Sequence, residues 1–359
     1  MTLRLERRLE ISRKLSASIS AFFIILAIIA ASLVFELLGV SSVETLSKIY
    51  YVFTTPATLL QAVLRGLPMG FAALGLCLAF KMNFWNIGAD GQIYMGMMAS
   101  TGIVLIHVYY GLIPEPLVLP AMIAASFIAG GVYCALPAFL KARLGVNEIL
   151  PTLMLNYVAM LFVDFLVYGP WRDPTGYGFP HSVVFPDYAR LENFLGHSSY
   201  VGFPAATAVA AVLYGLLQKT TLGFEMRVMG QNIEAARYAG IRLGRTLLTG
   251  SLIAGGLAGI GGLVIVSGII GRLRPRASPG YGYTAIIIAF LSGLNPWLAL
   301  PASVFFGGLL VAGDVIQSTL NLPFAAVQIF QATIFLMIIL GEFFKRYSIS
   351  WTSLTSFKE

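Results

Sequence analysis

The chain has 359 residues, of which 58% are hydrophobic and only 11% charged, against about 45–50% and about 25% in soluble domains. That composition excludes a soluble globular protein. The net charge of +7 resides largely in short connections between apolar runs, as the positive-inside rule produces, and not in a nucleic-acid-binding patch.

A membrane-crossing helix needs about 20 apolar residues, whereas a transmembrane β-strand alternates apolar and polar positions. Runs such as AFFIILAIIAASLVF from Ala21 do not alternate, so the spans are helical. Arg4, Arg7, Arg8, Arg13 and Lys14 precede the first run, which is too long for a signal-peptide core of about 7–15 residues; it reads as a retained helix. Predicted spans follow at 18–40, 56–80, 88–108, 117–140, 149–168, 202–218, 247–271, 282–294, 297–313 and 324–341. The fold class is therefore all-α, one polytopic transmembrane helical bundle of about ten spans over residues 1–359. With the N-terminus inside, the cytoplasmic segments are an arm 1–16, Lys81, the link 141–148, a loop 219–246 and a tail 342–359. These hold 16 of the 23 Lys and Arg, which places both termini in the cytoplasm and the loop 169–201 outside. The eighth run is short, and Arg272, Arg274, Pro275, Arg276, Pro279 and Gly280 precede it. Non-helical backbone at membrane depth is tolerated only within protein or beside a water-filled cavity, so a half-length or re-entrant helix is expected there.

No Gly-Lys dipeptide occurs, which excludes the phosphate-binding P-loop, and the zinc-protease and nucleophile-elbow motifs are missing too. Cys77 and Cys134 lie within apolar runs and read as small buried residues; His107, His181 and His197 lack metal-ligand spacing. The chain reads as a non-catalytic protein without a metal or cofactor of its own.

Two polar stripes interrupt the apolar spans. Asn83, Asn86 and Asp90 fall at i, i+3 and i+7, with Gln92 just beyond, and share one face if the stretch is helical; Glu148, Thr152 and Asn156 fall at i, i+4 and i+8. Such groups can hydrogen-bond a solute in a watery pathway, or they can bind helices to one another; both readings stand. Gly88, Gly91, and Gly255 with Gly259 in GxxxG spacing read as close-packing positions. Asp314 reads as a local cap or pair. Between the sixth and seventh spans, Gly223–Gly244 contains a short helix predicted over Ile233–Ala239. Asn232 is its N-cap, Glu234 lies in its first turn, and Gly240 takes the left-handed position after its end. Ala235, Ala236 and Ala239 keep it slim and Arg237 adds charge, as suits a docking element; an ordinary interfacial turn is the alternative.

The E-A-A-x-x-x-G pattern from Glu234 to Gly240 resembles the loop by which permeases of ABC importers engage their ATPases. NFWNIGADGQIYMG (Asn83–Gly96), GVNEILPTLMLNY (Gly145–Tyr157) and YGPWRDP (Tyr168–Pro174) resemble, in the same order, the permeases for nucleosides and simple sugars within the branched-chain amino acid permease superfamily. Asp90 stands where many members carry Glu, and Trp85 separates Phe84 from Asn86. The resemblance implies a type II ABC importer-like permease of the plasma membrane that carries a nucleoside or simple sugar. It also implies an ATPase subunit that binds ATP and Mg, a second identical or homologous permease, and an extracytoplasmic substrate-binding lipoprotein. Asn83, Asn86, Asp90, Gln92, Glu148, Thr152 and Asn156 become candidates for the substrate pathway; Asn232, Glu234, Ala235, Ala236, Arg237 and Gly240 become candidates for ATPase coupling. Branched-chain amino acids or another small solute would fit the same architecture. An ion-coupled secondary transporter would instead use Asp90 or Asp164 as an ion site.

Overall fold

A computed structural model describes residues 2–7, 12–37, 39–191, 198–320 and 322–352. Thus 192–197 of the expected outer loop, with His197, and 353–359 of the tail lie outside the described residues. The chain forms two compact units, Met1–Thr55 with Leu309–Glu359, and Pro56–Gly308.

The first unit opens with β1 (Thr2–Arg7), then α1 (Arg13–Leu37) and α2 (Ser42–Thr54). α2 is not among the predicted elements, because its polar residues break any long apolar run. It folds as a short amphipathic helix because Thr45, Ile49 and Val52, spaced i, i+4 and i+7, turn to one buried face.

The second unit runs through α3 (Pro56–Lys81), α4 (Ala89–Tyr110), α5 (Glu115–Leu144) and α6 (Ile149–Tyr168). After a loop with one 3₁₀ turn at Asp187–Ala189 come α7 (Ser198–Lys219), α8 (Thr221–Gln231), α9 (Ile233–Tyr238) and α10 (Leu243–Leu263). A π-helical turn, Val264–Ile270, extends α10 before the half-length α11 (Tyr281–Leu291) and α12 (Pro296–Leu320), whose residues from Leu309 onward belong to the first unit. Back in the first unit, α13 (Phe324–Arg346) packs on α1 through Phe35 against Phe330, ring centroids 5.3 Å apart, and leads into β2 (Tyr347–Thr352). The two strands pair antiparallel, Thr2 opposite Thr352 and Arg7 opposite Tyr347, adding a small ribbon to the helical bundle.

Among the described residues eight helices are long and apolar enough to cross a membrane, and two shorter apolar stretches, Ser18–Leu33 and Tyr281–Leu291, stand at the other expected spans. The protein is thus a multi-pass membrane protein.

The second unit is built around α10, which touches α3, α4 and α5. Its glycines divide those contacts. A Cβ on Gly255 would overlap the Gly130 backbone of α5, one on Gly259 the carbonyl of Ser126 in α5, and one on Gly262 the carbonyl of Ile93 in α4. At Gly261 it would lie 2.6 Å from Pro68 O of α3. Main chains therefore meet directly, and the gain is dispersion between close-packed backbones, the main attraction left when lipid is as apolar as the side chains. Gly259→Ala is expected to destabilise by about 1–3 kcal/mol through overpacking. Gly215→Ala in α7, where an added methyl meets open space, is expected to be neutral or stabilising, since an interior helical Gly costs about 0.5–1 kcal/mol relative to Ala. Thermal unfolding in detergent compares them; equal midpoints would refute this account of α10.

Candidate functional site: a broken helix and an exposed turn

The stretch that would carry Asn83, Asn86 and Asp90 on one face if it were helical is not helical before Ala89. α3 stops at Lys81, Asn83 takes a left-handed backbone (φ 55°), and α4 begins only at Ala89. Between them the chain runs without helix along the first turns of α6, and the second polar stripe supplies its partners. Trp85 N donates to Glu148 Oε1 (3.0 Å) and Ile87 N to Thr152 Oγ1 (3.3 Å). Asn156 Nδ2 donates to Ile87 O (2.9 Å), and Gly91 N to Asn156 Oδ1 (2.7 Å). The spacing explains the match: four residues of helix rise about 6 Å, close to the roughly 6.6 Å covered by two residues of extended chain.

Asn86 closes the segment on itself. Its amide exchanges two hydrogen bonds with Gln92, 2.9 and 3.1 Å, and its Oδ1 also accepts from Gly88 N at 3.0 Å. Asn86, Gln92, Thr152 and Asn156 are all buried. At the lower end Lys141 Nζ bonds Glu148 Oε1 at 2.5 Å and Asn83 O at 2.9 Å. Burial pushes the Glu148 carboxyl up, but hydrogen bonds from Lys141 and the Trp85 amide outweigh it and leave the pKa below the ordinary carboxylate range. The first stripe is thus no stripe, and the second is its scaffold.

Asp90 works elsewhere. Its Oδ1 accepts from Ser278 Oγ (2.7 Å) and Gly282 N (2.9 Å), so it caps the first turn of α11 and secures the irregular segment before it. The sequence marked Asp90 but not Ser278 or Gly282; the Ser-Pro-Gly turn at 278–280 was the only local signal of a cap there. Asp164, the other candidate ion site, leaves Oδ1 buried without a hydrogen-bond partner among the described residues.

Residues 182–191 of the loop that begins at Gly169 are held by the chain from Ser267 to Leu273. Ser182 N donates to Leu273 O (2.9 Å) and Phe185 N to Gly271 O (2.8 Å), while Leu191 N donates to Ser267 Oγ (3.1 Å).

The second candidate site is α9, whose termini follow the expectation. Asn232 Oδ1 accepts from Ala235 N (3.1 Å). At the other end Gly240 has φ 75°, its N–H reaches Arg237 O (3.0 Å), and Ile241 N reaches Ala236 O (3.1 Å), the paired closure of a Schellman motif. The helix ends at Tyr238, one residue early, with Ala239 as its C-cap. Ala236 is buried within the chain, so it anchors the helix and is not part of its outer face. Glu234 and Arg237 form an exposed ion pair (3.1 Å), and Tyr238 is 93% exposed.

Comparison with known proteins decides the family. The family model described as "Branched-chain amino acid transport system / permease component" matches residues 58–341. The chain belongs to that family. It is 36% identical to the glucose ABC transporter permease protein of Haloferax volcanii, over 87% of this chain and 82% of the relative. It is 28% identical to the guanosine ABC transporter permease protein of Bacillus subtilis, over 81% of each chain. It is also 28% identical to a nucleoside ABC transporter permease protein of Lactococcus lactis, over 67% of each. The permease role is non-catalytic and belongs to an ABC transporter complex, which removes the ion-coupled reading.

Thr152→Val keeps the shape of the side chain but removes the partner of the half-buried Ile87 N–H, at a cost of about 1 kcal/mol. Thr333→Val, whose exposed hydroxyl donates to the Ile329 carbonyl of its own helix, is expected to change stability little. Unfolding midpoints of the two variants in detergent test this; indistinguishable values would show that the ladder contributes nothing.

Proposed function

We propose that the chain is the permease of an ATP-driven importer for a simple sugar or a nucleoside, seated in the plasma membrane with both termini cytoplasmic. One observation carries the ATP-driven part: α9 is a short helix capped at both ends whose charged and aromatic residues face outward. An ATPase subunit that binds ATP and Mg takes this helix, with Glu234, Ala235, Arg237 and the Gly240 turn at the contact and Asn232 and Ala236 holding the helix in shape. A second permease, identical or homologous, completes the route, and an extracytoplasmic binding lipoprotein delivers solute to it. The sugar or nucleoside choice is supported by the relatives, whose names give glucose, guanosine and nucleosides. Asn83, Asn86, Asp90, Gln92, Glu148, Thr152 and Asn156 serve the pathway by fixing the broken segment that borders it. Coupling is a two-state process: closure of the ATPases favours one arrangement of α9 over another, and only contacts that differ between the two arrangements move the equilibrium.

Gly240→Val forces a β-branched residue into a left-handed turn. In membranes carrying the complete transporter, uptake is expected to fall at least about tenfold while the complex still assembles and hydrolyses ATP. Uptake at wild-type level would remove α9 from the coupling. Orientation is tested by single cysteines in a chain lacking Cys77 and Cys134. A reagent that cannot cross the membrane should label position 181 in intact cells and position 237 only after permeabilisation; the reverse pattern inverts the topology.

A further inference from the structure

α11 presents one stripe that its neighbours do not fully cover, with Tyr283 exposed and Ile287 and Phe290 half-buried. Tyr283, Ile287 and Phe290 fall at i, i+4 and i+7 on one face, while Tyr281, Ala285 and Ile288 are buried. At its lower end Phe290 stacks on Phe80, with centroids 4.9 Å apart, and lies 5.9 Å from Trp85. Trp85 is 41% exposed and held in place twice, its backbone N–H by Glu148 and its indole N–H by Asn83 Oδ1 at 3.0 Å. At the upper end the Tyr283 hydroxyl accepts a hydrogen bond from Asn156 Nδ2 at 3.0 Å, which leaves its own proton for donation; the ring is 38% exposed.

On a full-length span such a stripe would be read as lipid-facing. α11 has 11 residues, about 16 Å of a hydrocarbon layer about 30 Å thick, and the chain before it, residues 271–280, is irregular. Backbone of that kind at membrane depth lies within protein or beside water, and the hydroxyl of Tyr283 is oriented by a buried amide in the same ladder that satisfies the segment 85–91.

We infer that the stripe Tyr283, Ile287, Phe290 and Trp85 lines the solute route, and that it recognises a solute with one flat apolar face and hydroxyl groups at its rim. The rings take the flat face, either the C–H face of a sugar ring or a base, which stacks on aromatic side chains. Tyr283 donates to a hydroxyl, and Asn156 acts as a positioning residue. The solute class rests on the proposed importer function; the exposure of the stripe to water does not.

The test uses cells carrying the whole transporter, with Ile287→Cys placed in a Cys77→Ser, Cys134→Ala chain. A permanently charged methanethiosulfonate reagent is expected to modify position 287, and saturating glucose or guanosine to slow that modification at least about threefold. Modification by a lipid-soluble maleimide alone would place the stripe against lipid, and oxidative cross-linking between two copies would make it a permease–permease contact; either overturns the inference. Modification that no solute slows overturns the recognition role. Tyr283→Phe is expected to raise the uptake KM about 3- to 10-fold, the range of one lost hydrogen bond, with the maximal rate and membrane assembly unchanged; an unaltered KM removes Tyr283 from recognition. Should the wild-type transporter carry no simple sugar and no nucleoside, the proposed function fails, and labelling by the charged reagent alone still decides whether the stripe faces water.

Discussion

The second unit depends on satisfying a stretch of backbone that leaves the helix in a membrane-embedded protein. Each unpaired N–H or C=O removed from water costs several kcal/mol, so a chain that interrupts α3 and α4 with an open segment must bring partners to it. Here a single helix does so: Glu148, Thr152 and Asn156 reach three successive points of the segment, and Asn86 and Gln92 close its upper end. With those partners in place, the start of α4, the position of Asp90 and, through Asp90, the first turn of α11 are all set.

Which parts of this were legible in the sequence follows from the range of the interactions. The spans were legible because apolar content over about 20 residues is a property of each run by itself. The caps of α9 were legible for the same reason, since Asn232 and Gly240 act within four residues of their own position. The stripe 148–152–156 was visible as a periodicity, but its purpose was not, because its partner lies more than 60 residues away. The Asn83, Asn86, Asp90 pattern misled for a physical reason: a spacing of i, i+3, i+7 implies a shared face only if the backbone between is helical. Asn83 and Gly88 flank a segment whose main chain bonds to another element. Trp85, Ser278 and Tyr283 carried no period at all, and only the packing of α11 against α3 and α4, with the single bond from Asn156 to Tyr283, gives them a common place.

The glycines of α10 follow the same rule. Gly255 and Gly259 were legible as a close-packing pair, but Gly261 and Gly262 approach two further helices, so that one helix meets three neighbours on adjacent faces. A side chain at any of these positions would separate the main chains, and no choice of rotamer would restore the contact.

A comparable contact joins the two candidate sites. A Cβ on Gly230, near the end of α8, would overlap the carbonyl of Lys81, where α3 ends and the open segment begins. The capped turn that starts at Asn232 is therefore two residues from a main-chain contact with the root of the segment that carries Trp85. Between them lies no side chain able to change rotamer and absorb a displacement. With main chain against main chain at this point, α8 cannot approach the end of α3 more closely, and the contact lies two residues before the left-handed turn at Asn83.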